Sequence, residues 1–449
     1  MKVAGVLLQN ANVAVFGMAR SGLAAVRLLL EHGARVTAFD QKSAADLGPA
    51  AEELARLHVP FRLQSEHSAR DHQLAVISPG VAADAAPLAQ SRLLGIPVIG
   101  ELELASYFLK GRTIGITGSN GKTTTTALTG HILKACGIPA QVGGNIGTPP
   151  ASMVASSRPG QWNVLELSSF QLETISNFRA HVGLALNITP DHLDRHGNFE
   201  SYAAAKSQLF RTQQPQDFAV LNAGDPICVS YASLTPGRPI WFSLTQPVNP
   251  GLWLEGDQIL FDGEPLMRAS EIPLRGRHNI ENVLAAAAAA RLAGASCGSI
   301  AKAVRSFPGV EHRLEFCGVK GGVEFFNDSK ATNVDAALKA IDAFPGRLWV
   351  ILGGKDKNSD YSLLREPLAR KAHAALLVGE AAAKIARALD GSVALVPCQT
   401  IEAALDHAAA NATPGDTVLL APACASFDQF ENFEQRGRHF KELVERITA

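Results

Sequence analysis

Short apolar runs that end at glycine or at a polar residue recur along this chain, and most are separated by segments in which apolar residues have helical spacing. The first run is VAVFG (13–17). A glycine turn, Gly17-Met-Ala-Arg-Ser-Gly22, follows it, then a helical pattern to about His32 and a second strand, RVTAFD, that ends at Asp40. Strand, glycine turn, helix, strand and acid in that order predict a Rossmann-like βαβ unit, with Asp40 at about the spacing of a ribose-binding acid. Ala19 stands where G-x-G-x-x-G has its middle glycine, so the dinucleotide fingerprint is incomplete. A further strand, LAVISPG (74–80), stops at Pro79-Gly80, and ligands of such sheets sit where strands end. Turns with a purely structural role account for these residues equally well.

A helix, ELELASYFL (101–109), leads into a second block. Its apolar runs are TIGIT (113–117), WNVLELSS (162–169) and the start of VGLALNITPDHLDRH (182–196), with GGNIG (143–147) between them. Strands alternating with helices predict a mostly parallel, buried sheet. Several Pro and Gly residues with short runs over 236–273 (IWFSL, LWLEG, QILFDG) predict an antiparallel patch on the same domain. A third α/β block starts near Gly309, with strands at VEFFND (323–328), LWVILGG (348–354), AALLVG (374–379) and TVLLAPA (417–423). The expected division is three α/β domains: 1–101 and 309–449, both Rossmann-like, around a central domain, 102–308, with the mostly parallel sheet.

Composition narrows the function. A chain of 449 residues is too long for one ordinary core, and its 47% apolar and 18% charged residues are those of a compact soluble protein. A formal net charge of −1 and no polybasic run argue against nucleic acid and against an anionic membrane surface. The six cysteines are scattered without C-x-x-C, which suits neither a zinc site nor a disulfide framework and predicts a reducing, cytoplasmic home. No signal peptide and no 18-residue apolar span is evident; the alanine run 285–290, flanked by Asn282 and Arg291, predicts a packed helix.

The chemistry concentrates in GITGSNGKTTTTAL (115–128). Gly121-Lys122-Thr123 ends like a phosphate loop, but G-x-x-x-x-G-K-[ST] would need glycine at Ile116. The physical requirements are still met. A buried strand delivers a tight turn, Gly118-Ser119-Asn120-Gly121, to a helix N-terminus, which binds anions. Lys122 adds a point charge for the outer phosphates, and Thr123 a hydroxyl for Mg²⁺. A metal needs hard oxygen ligands, and Glu166 sits inside an otherwise apolar strand, where a carboxylate must be paired with a cation side chain or bound to a metal. The segment DHLDRH (191–196) is dense in candidate ligands. Lys206, in YAAAKSQLF, reads from its own surroundings as a solvated helix residue.

TGSNGKTTT, GGNIG, LELSSFQLE, NITPDHLDRH, GRHNIENVLAA, EHRLEF, NDSKATN and APACASFDQFENFEQRG occur in this order. Together they resemble the Mur ligases, the ATP-dependent enzymes that build the peptidoglycan stem peptide, over about residues 10–440. The resemblance implies that ATP phosphorylates the alanine carboxylate of UDP-N-acetylmuramoyl-L-alanine and that the amine of glutamate displaces the phosphate. No DNPR segment, used by the diaminopimelate- or lysine-adding members, is present. A folylpolyglutamate synthase shares the scaffold and the chemistry but begins with its ATPase domain, whereas this chain begins with a Rossmann-like block. Glutamate of the L form offers the same groups as the D form.

The resemblance also assigns residues. Gly118, Ser119, Asn120, Gly121, Lys122, Thr123 and Thr124 would hold the phosphates, Asn279 and Asn282 the adenine side, and Arg313 and Asp328 the rest of ATP. Thr123 and Glu166 would bind one Mg²⁺, and His192 would help to place a second near the reacting carboxylate and the UDP substrate. Lys206 matches a lysine that the family carbamylates with CO₂, which turns a cation into an anionic oxygen ligand. Lys330 would reach the acyl-phosphate or carboxylate oxygens. Thr332, Lys357, Ser426 and the Phe433 backbone would bind glutamate. Arg20, Ser21, Asp40, Gln41, Gly80 and Asn145 would bind the UDP part, although Arg20 stands where an apolar residue is common. The third domain would close over bound ATP, and the expected state is a cytoplasmic monomer.

Overall fold

The computed structural model describes residues 1–82 and 85–448. The chain forms two compact units, Met1–Glu271 with Glu281–Arg305, and Ile272–Ile280 with Ser306–Ala449. A small hairpin, β1 (Lys2–Val3) and β2 (Val6–Leu7), precedes the first sheet. That sheet contains β3 (Asn12–Phe16), β4 (Arg35–Asp40), β5 (Phe61–Leu63), β6 (Leu74–Ile77) and β7 (Val98–Gly100). Its order is β5-β4-β3-β6-β7 and every pairing is parallel. The chain leaves β3 for one side of the sheet and later returns to pair on the other, so a crevice opens beyond the ends of β3 and β6. Gly17 and Ser78-Pro79-Gly80 lie there, where the sequence placed its turns.

The second sheet has nine strands in the order β16-β15-β14-β13-β12-β11-β8-β10-β9. They are β8 (Arg112–Thr117), β9 (Ala140–Gly144), β10 (Trp162–Glu166), β11 (Val182–Ala185), β12 (Phe218–Asn222), β13 (Arg238–Ser243), β14 (Gly251–Glu255), β15 (Gln258–Phe261) and β16 (Glu264–Arg268). β8 is central, between β10 and β11, and Thr113–Thr117 are all buried. Burial of Ile114 and Ile116 alone removes enough apolar surface to contribute about 1.5–3 kcal/mol each. The expected antiparallel patch is in part a correction: β13 runs parallel to both β12 and β14, so IWFSL belongs to the main sheet, and only β14-β15-β16 form an antiparallel meander at its edge. The expected helix 101–109 is also shorter and ends at Ser106. Ala285–Ala290 are fully packed in the helix Arg277–Leu292, as the alanine run predicts.

The third sheet orders β17 (Glu315–Lys320), β18 (Val323–Asn327), β22 (Thr417–Leu420), β19 (Leu348–Gly353), β20 (Ala372–Val378) and β21 (Ala394–Gln399) as β17-β18-β22-β19-β20-β21. Only β17–β18 is antiparallel. Because β18, β22 and β19 are neighbours, the loops that follow them emerge side by side. Mostly parallel sheets layered with helices thus run throughout the chain, the α/β architecture that its strand–helix rhythm predicts.

Candidate active site

The phosphate loop leaves β8 and enters the helix Lys122–Ala135, whose N-cap is Gly121. Gly121 has φ +84°, and a β-carbon there would collide with the Asn282 side chain, so only glycine serves. Ile116 is the penultimate residue of the buried strand; the turn starts at Thr117-Gly118, one step later than in the longer loop. Asn187 braces the loop, its Oδ1 accepting from Asn120 N (2.9 Å) and its Nδ2 donating to Asn120 O (3.1 Å). Ser119 Oγ donates to Thr189 O (2.8 Å). Lys122 Nζ folds onto the loop and donates to Gly118 O (2.8 Å) and Ser119 O (2.9 Å).

Lys206 corrects the solvated-helix reading. It is only 1% exposed, and its Nζ donates to the same Gly118 carbonyl (2.9 Å) and lies 3.5 Å from Thr117 Oγ1. Burial drives its ammonium well below the ordinary range; the Lys122 charge acts in the same sense, and Asp191 and Glu166 oppose it. Glu166 is 2% exposed at the end of β10. Its Oε1 accepts from Asn145 Nδ2 (3.1 Å), while buried Oε2 has no hydrogen-bond partner. Among the described residues no Lys or Arg lies within ion-pair distance of Glu166, although it acts electrostatically on the buried Lys206. An unpartnered buried carboxylate oxygen at the end of the strand beside β8 suits a hard cation. His192 is exposed, with φ +52° and its imidazole 5.0 Å from the Phe170 ring.

A cleft of about 700 Å³ opens at the ends of β3 and β6 of the first sheet. It collects Arg20, Ser21, Asp40, Gln41, Gly80 and Asn145, the six residues assigned to the UDP part, and adds Gln64, Ser78 and Gln171. His192 is not in its wall. Asp40 is partly committed to structure: Oδ2 accepts from Met18 N (2.7 Å) and Oδ1 from Lys42 N (3.0 Å). The exposed Arg20 donates to Gly147 O, joining the glycine turn to GGNIG.

Asn282 and Asn279 part company. The Asn282 side chain packs on the phosphate loop, accepting from Thr125 Oγ1 (3.2 Å). Asn279 instead lines a pocket of about 270 Å³ with Arg275, Arg313, Glu315, Leu274, Phe316 and Phe326, a mix of aromatic faces and polar groups that suits a flat base. Buried Asp328 backs this pocket through Leu314 N (3.4 Å); burial pushes its carboxyl up to about 7 against the pull of Arg313.

On the third sheet, Asp328-Ser329-Lys330 follows β18, Lys355–Lys357 follows β19 and Cys424–Ser426 follows β22. Lys355 N donates to Ala425 O (2.9 Å), Thr332 N donates to Lys330 O (2.8 Å), and Lys330 Nζ lies 3.8 Å from the Phe433 ring centre. Lys357 is exposed and Ser426 buried. Arg436, not singled out in the sequence, locks these loops together. It is 2% exposed, and its guanidinium donates to Ser329 Oγ (2.9 Å), Ser329 O (2.8 Å), Cys424 O (3.2 Å) and Ala425 O (3.3 Å). Burial among neutral acceptors lowers it to about 10. Its sequence signal is its place at the end of the motif APACASFDQFENFEQRG (421–437), which gives no sign that it is buried. Glu311, His312 and Glu315 are spaced like metal ligands, but Lys441 already bridges the two carboxylates (3.2 and 2.7 Å).

Comparison with known proteins gives the same reading along the whole chain. Residues 11–100 match the family described as "Mur ligase MurD-like, N-terminal domain", 116–290 the "Mur ligase middle domain", and 312–424 the "Mur ligase, glutamate ligase domain". A protein of Solibacter usitatus named UDP-N-acetylmuramoylalanine–D-glutamate ligase is 60% identical, covering 97% of this chain and 98% of the relative. One of the same name from Acidobacterium capsulatum is 51% identical over 97% and 96%. Among solved structures, the UDP-N-acetylmuramate–alanine ligase of Thermotoga maritima has the same fold, with a TM-score of 0.62 at 18% identity over 98% of this chain and 100% of that one. The phosphate loop, the buried Glu166 and Lys206 and the cleft of the first sheet are therefore those of a family member: the chain belongs to the Mur ligases.

Proposed function

We propose that this protein is an ATP-dependent ligase that joins D-glutamate to UDP-N-acetylmuramoyl-L-alanine through an acyl phosphate, a step in peptidoglycan precursor synthesis. One observation carries the reading: a phosphate loop whose lysine shares a carbonyl with a second, fully buried lysine, close to a buried carboxylate with an oxygen to spare.

A carboxylate is a poor electrophile, and phosphorylation makes one of its oxygens a leaving group. The chain's task is then positioning and charge neutralisation. The loop backbone and helix N-terminus receive the phosphates, and Lys122 moves from its loop carbonyls to their outer oxygens. Asn279, Arg313 and Asp328 hold the nucleoside. The cleft of the first domain holds the UDP part, with Arg20 beside the diphosphate. Thr123 and Glu166 would hold one Mg²⁺, with His192 and a carbamylated Lys206 at a second. When bound, the ions neutralise charge on the transferring phosphoryl group. Lys206 suits carbamylation because its amine sits among neutral acceptors and beside another cation, where the neutral, CO₂-reactive form is favoured. Lys330 stabilises the acyl-phosphate oxygens, and Thr332, Lys357, Ser426 and the Phe433 backbone bind the glutamate carboxylates. Six free cysteines and the lack of a membrane-spanning helix among the described residues support a cytoplasmic enzyme; we expect a monomer.

Phosphate release from ATP tests the acceptor and the stereochemistry together. It should require UDP-N-acetylmuramoyl-L-alanine plus D-glutamate. Equal turnover with L-glutamate, or with a folate acceptor, would overturn the assignment.

A further inference from the structure

One conspicuous part of DHLDRH lies outside the roles assigned above. Arg195 Nη2 donates to Val81 O (3.1 Å), on the wall of the first-domain cleft, and to Glu173 Oε2 (3.1 Å). The other Glu173 oxygen lies 3.0 Å from His196 Nδ1, and Ser169 Oγ lies 2.9 Å from His196 Nε2. Serine, histidine and acid are aligned as in a hydrolase, but Ser169 is 2% exposed and the His196 side chain 2%, so no substrate reaches them. The array orients groups instead. The carboxylate lies beside the imidazole, and the ring stacks on Phe170 (5.5 Å) and meets Tyr202 edge-on (5.3 Å). Tyr202 OH and Ser119 Oγ of the phosphate loop share a hydrogen bond (3.0 Å). Arg195 also lies 4.7 Å over Phe170, the ring that His192 abuts.

We propose that Arg195, Glu173, His196 and Tyr202 are positioning residues that couple the first-domain cleft to the phosphate loop, so that filling either site favours the other. Every link is a direct contact, from a cleft-wall carbonyl at one end to a phosphate-loop hydroxyl at the other. The charged links are largely shielded from water, where hydrogen bonds are stiff and costly to break. Such coupling is reciprocal by linkage. The inference rests on the functional reading above, because it takes the two ligands from it.

Calorimetric titration separates the two. The affinity of UDP-N-acetylmuramoyl-L-alanine is measured with and without a non-hydrolysable ATP analogue, in the parent, Arg195→Met and Tyr202→Phe, with the thermal midpoint as a check on folding. The parent should bind the second ligand at least about fivefold more tightly once the first is present. Both variants should bring that factor below twofold while the analogue alone binds within threefold of the parent. Tyr202→Phe keeps the ring and removes one hydroxyl, so it stands in should Arg195→Met not fold. An unchanged factor in a folded variant, or no coupling in the parent, overturns the inference and leaves the function intact. Failure of the parent to bind either ligand overturns the function.

Discussion

Lys206→Met should give a protein that is more stable than the parent and nearly inactive. The buried amine contributes little to the fold: its acceptors are the Gly118 carbonyl and, at 3.5 Å, the Thr117 hydroxyl. Removing it leaves neither stranded, because Gly118 O still accepts from Lys122 and Thr117 Oγ1 still donates to Leu167 O (3.0 Å). Methionine fills a similar volume without a polar amine to desolvate. Turnover should fall by at least about 10²-fold, as when a positioned electrostatic group is lost. Parent activity should also fall in CO₂-stripped buffer and return with bicarbonate, and the variant should respond to neither. A variant within tenfold of parental kcat would show that Lys206 is not part of the catalytic apparatus.

Glu101→Gln should change the pH dependence of stability. Glu101 starts the helix after β7 and is 1% exposed; Oε1 accepts from Ala151 N (2.6 Å) and buried Oε2 has no partner. Burial raises its carboxyl from about 4.5 to about 8, partly opposed by the Ala151 hydrogen bond. Between those values the folded protein holds a proton that the unfolded chain has released, so stability falls as pH rises through that window and levels off above it. Glutamine imitates the protonated acid and does not titrate. The variant should match the parent near pH 4.5 and gain on it steadily up to about pH 8, by on the order of 3–5 kcal/mol in all. Denaturant unfolding at several pH values measures this; a constant difference would mean that Glu101 is ionised in the fold.

What was legible in the sequence followed from strands that are buried on both faces. Such strands read as unbroken apolar runs, and the turns after them, at Gly17, Gly118, Asp328 and Cys424, carry the site. The edge strands β17 and β21 were missed because EFCGVK and ALVPCQ bury little and mix polar residues with glycine or proline. β13 was assigned the wrong direction because its proline and the glycines that follow resemble hairpin punctuation. Residues far apart in sequence were hidden for a different reason. The burial of Lys206, the locking role of Arg436 and the Arg195–Glu173–His196 chain depend on which loops meet in space. An arginine or lysine in a polar-looking helix gives no local sign of that. Asn279 and Asn282, one turn apart on the same helix, still serve different neighbours.

The central claim is that the γ-phosphoryl group passes to the substrate carboxylate before the amine attacks. It is tested most directly by following oxygen. UDP-N-acetylmuramoyl-L-alanine labelled with ¹⁸O in both alanine carboxylate oxygens is turned over with ATP and D-glutamate in unlabelled water, and the released phosphate is analysed by mass. An acyl phosphate keeps one carboxylate oxygen in the amide and sends the other out with phosphorus, so each phosphate should carry one ¹⁸O atom. Unlabelled phosphate, with amide formed, would contradict the account.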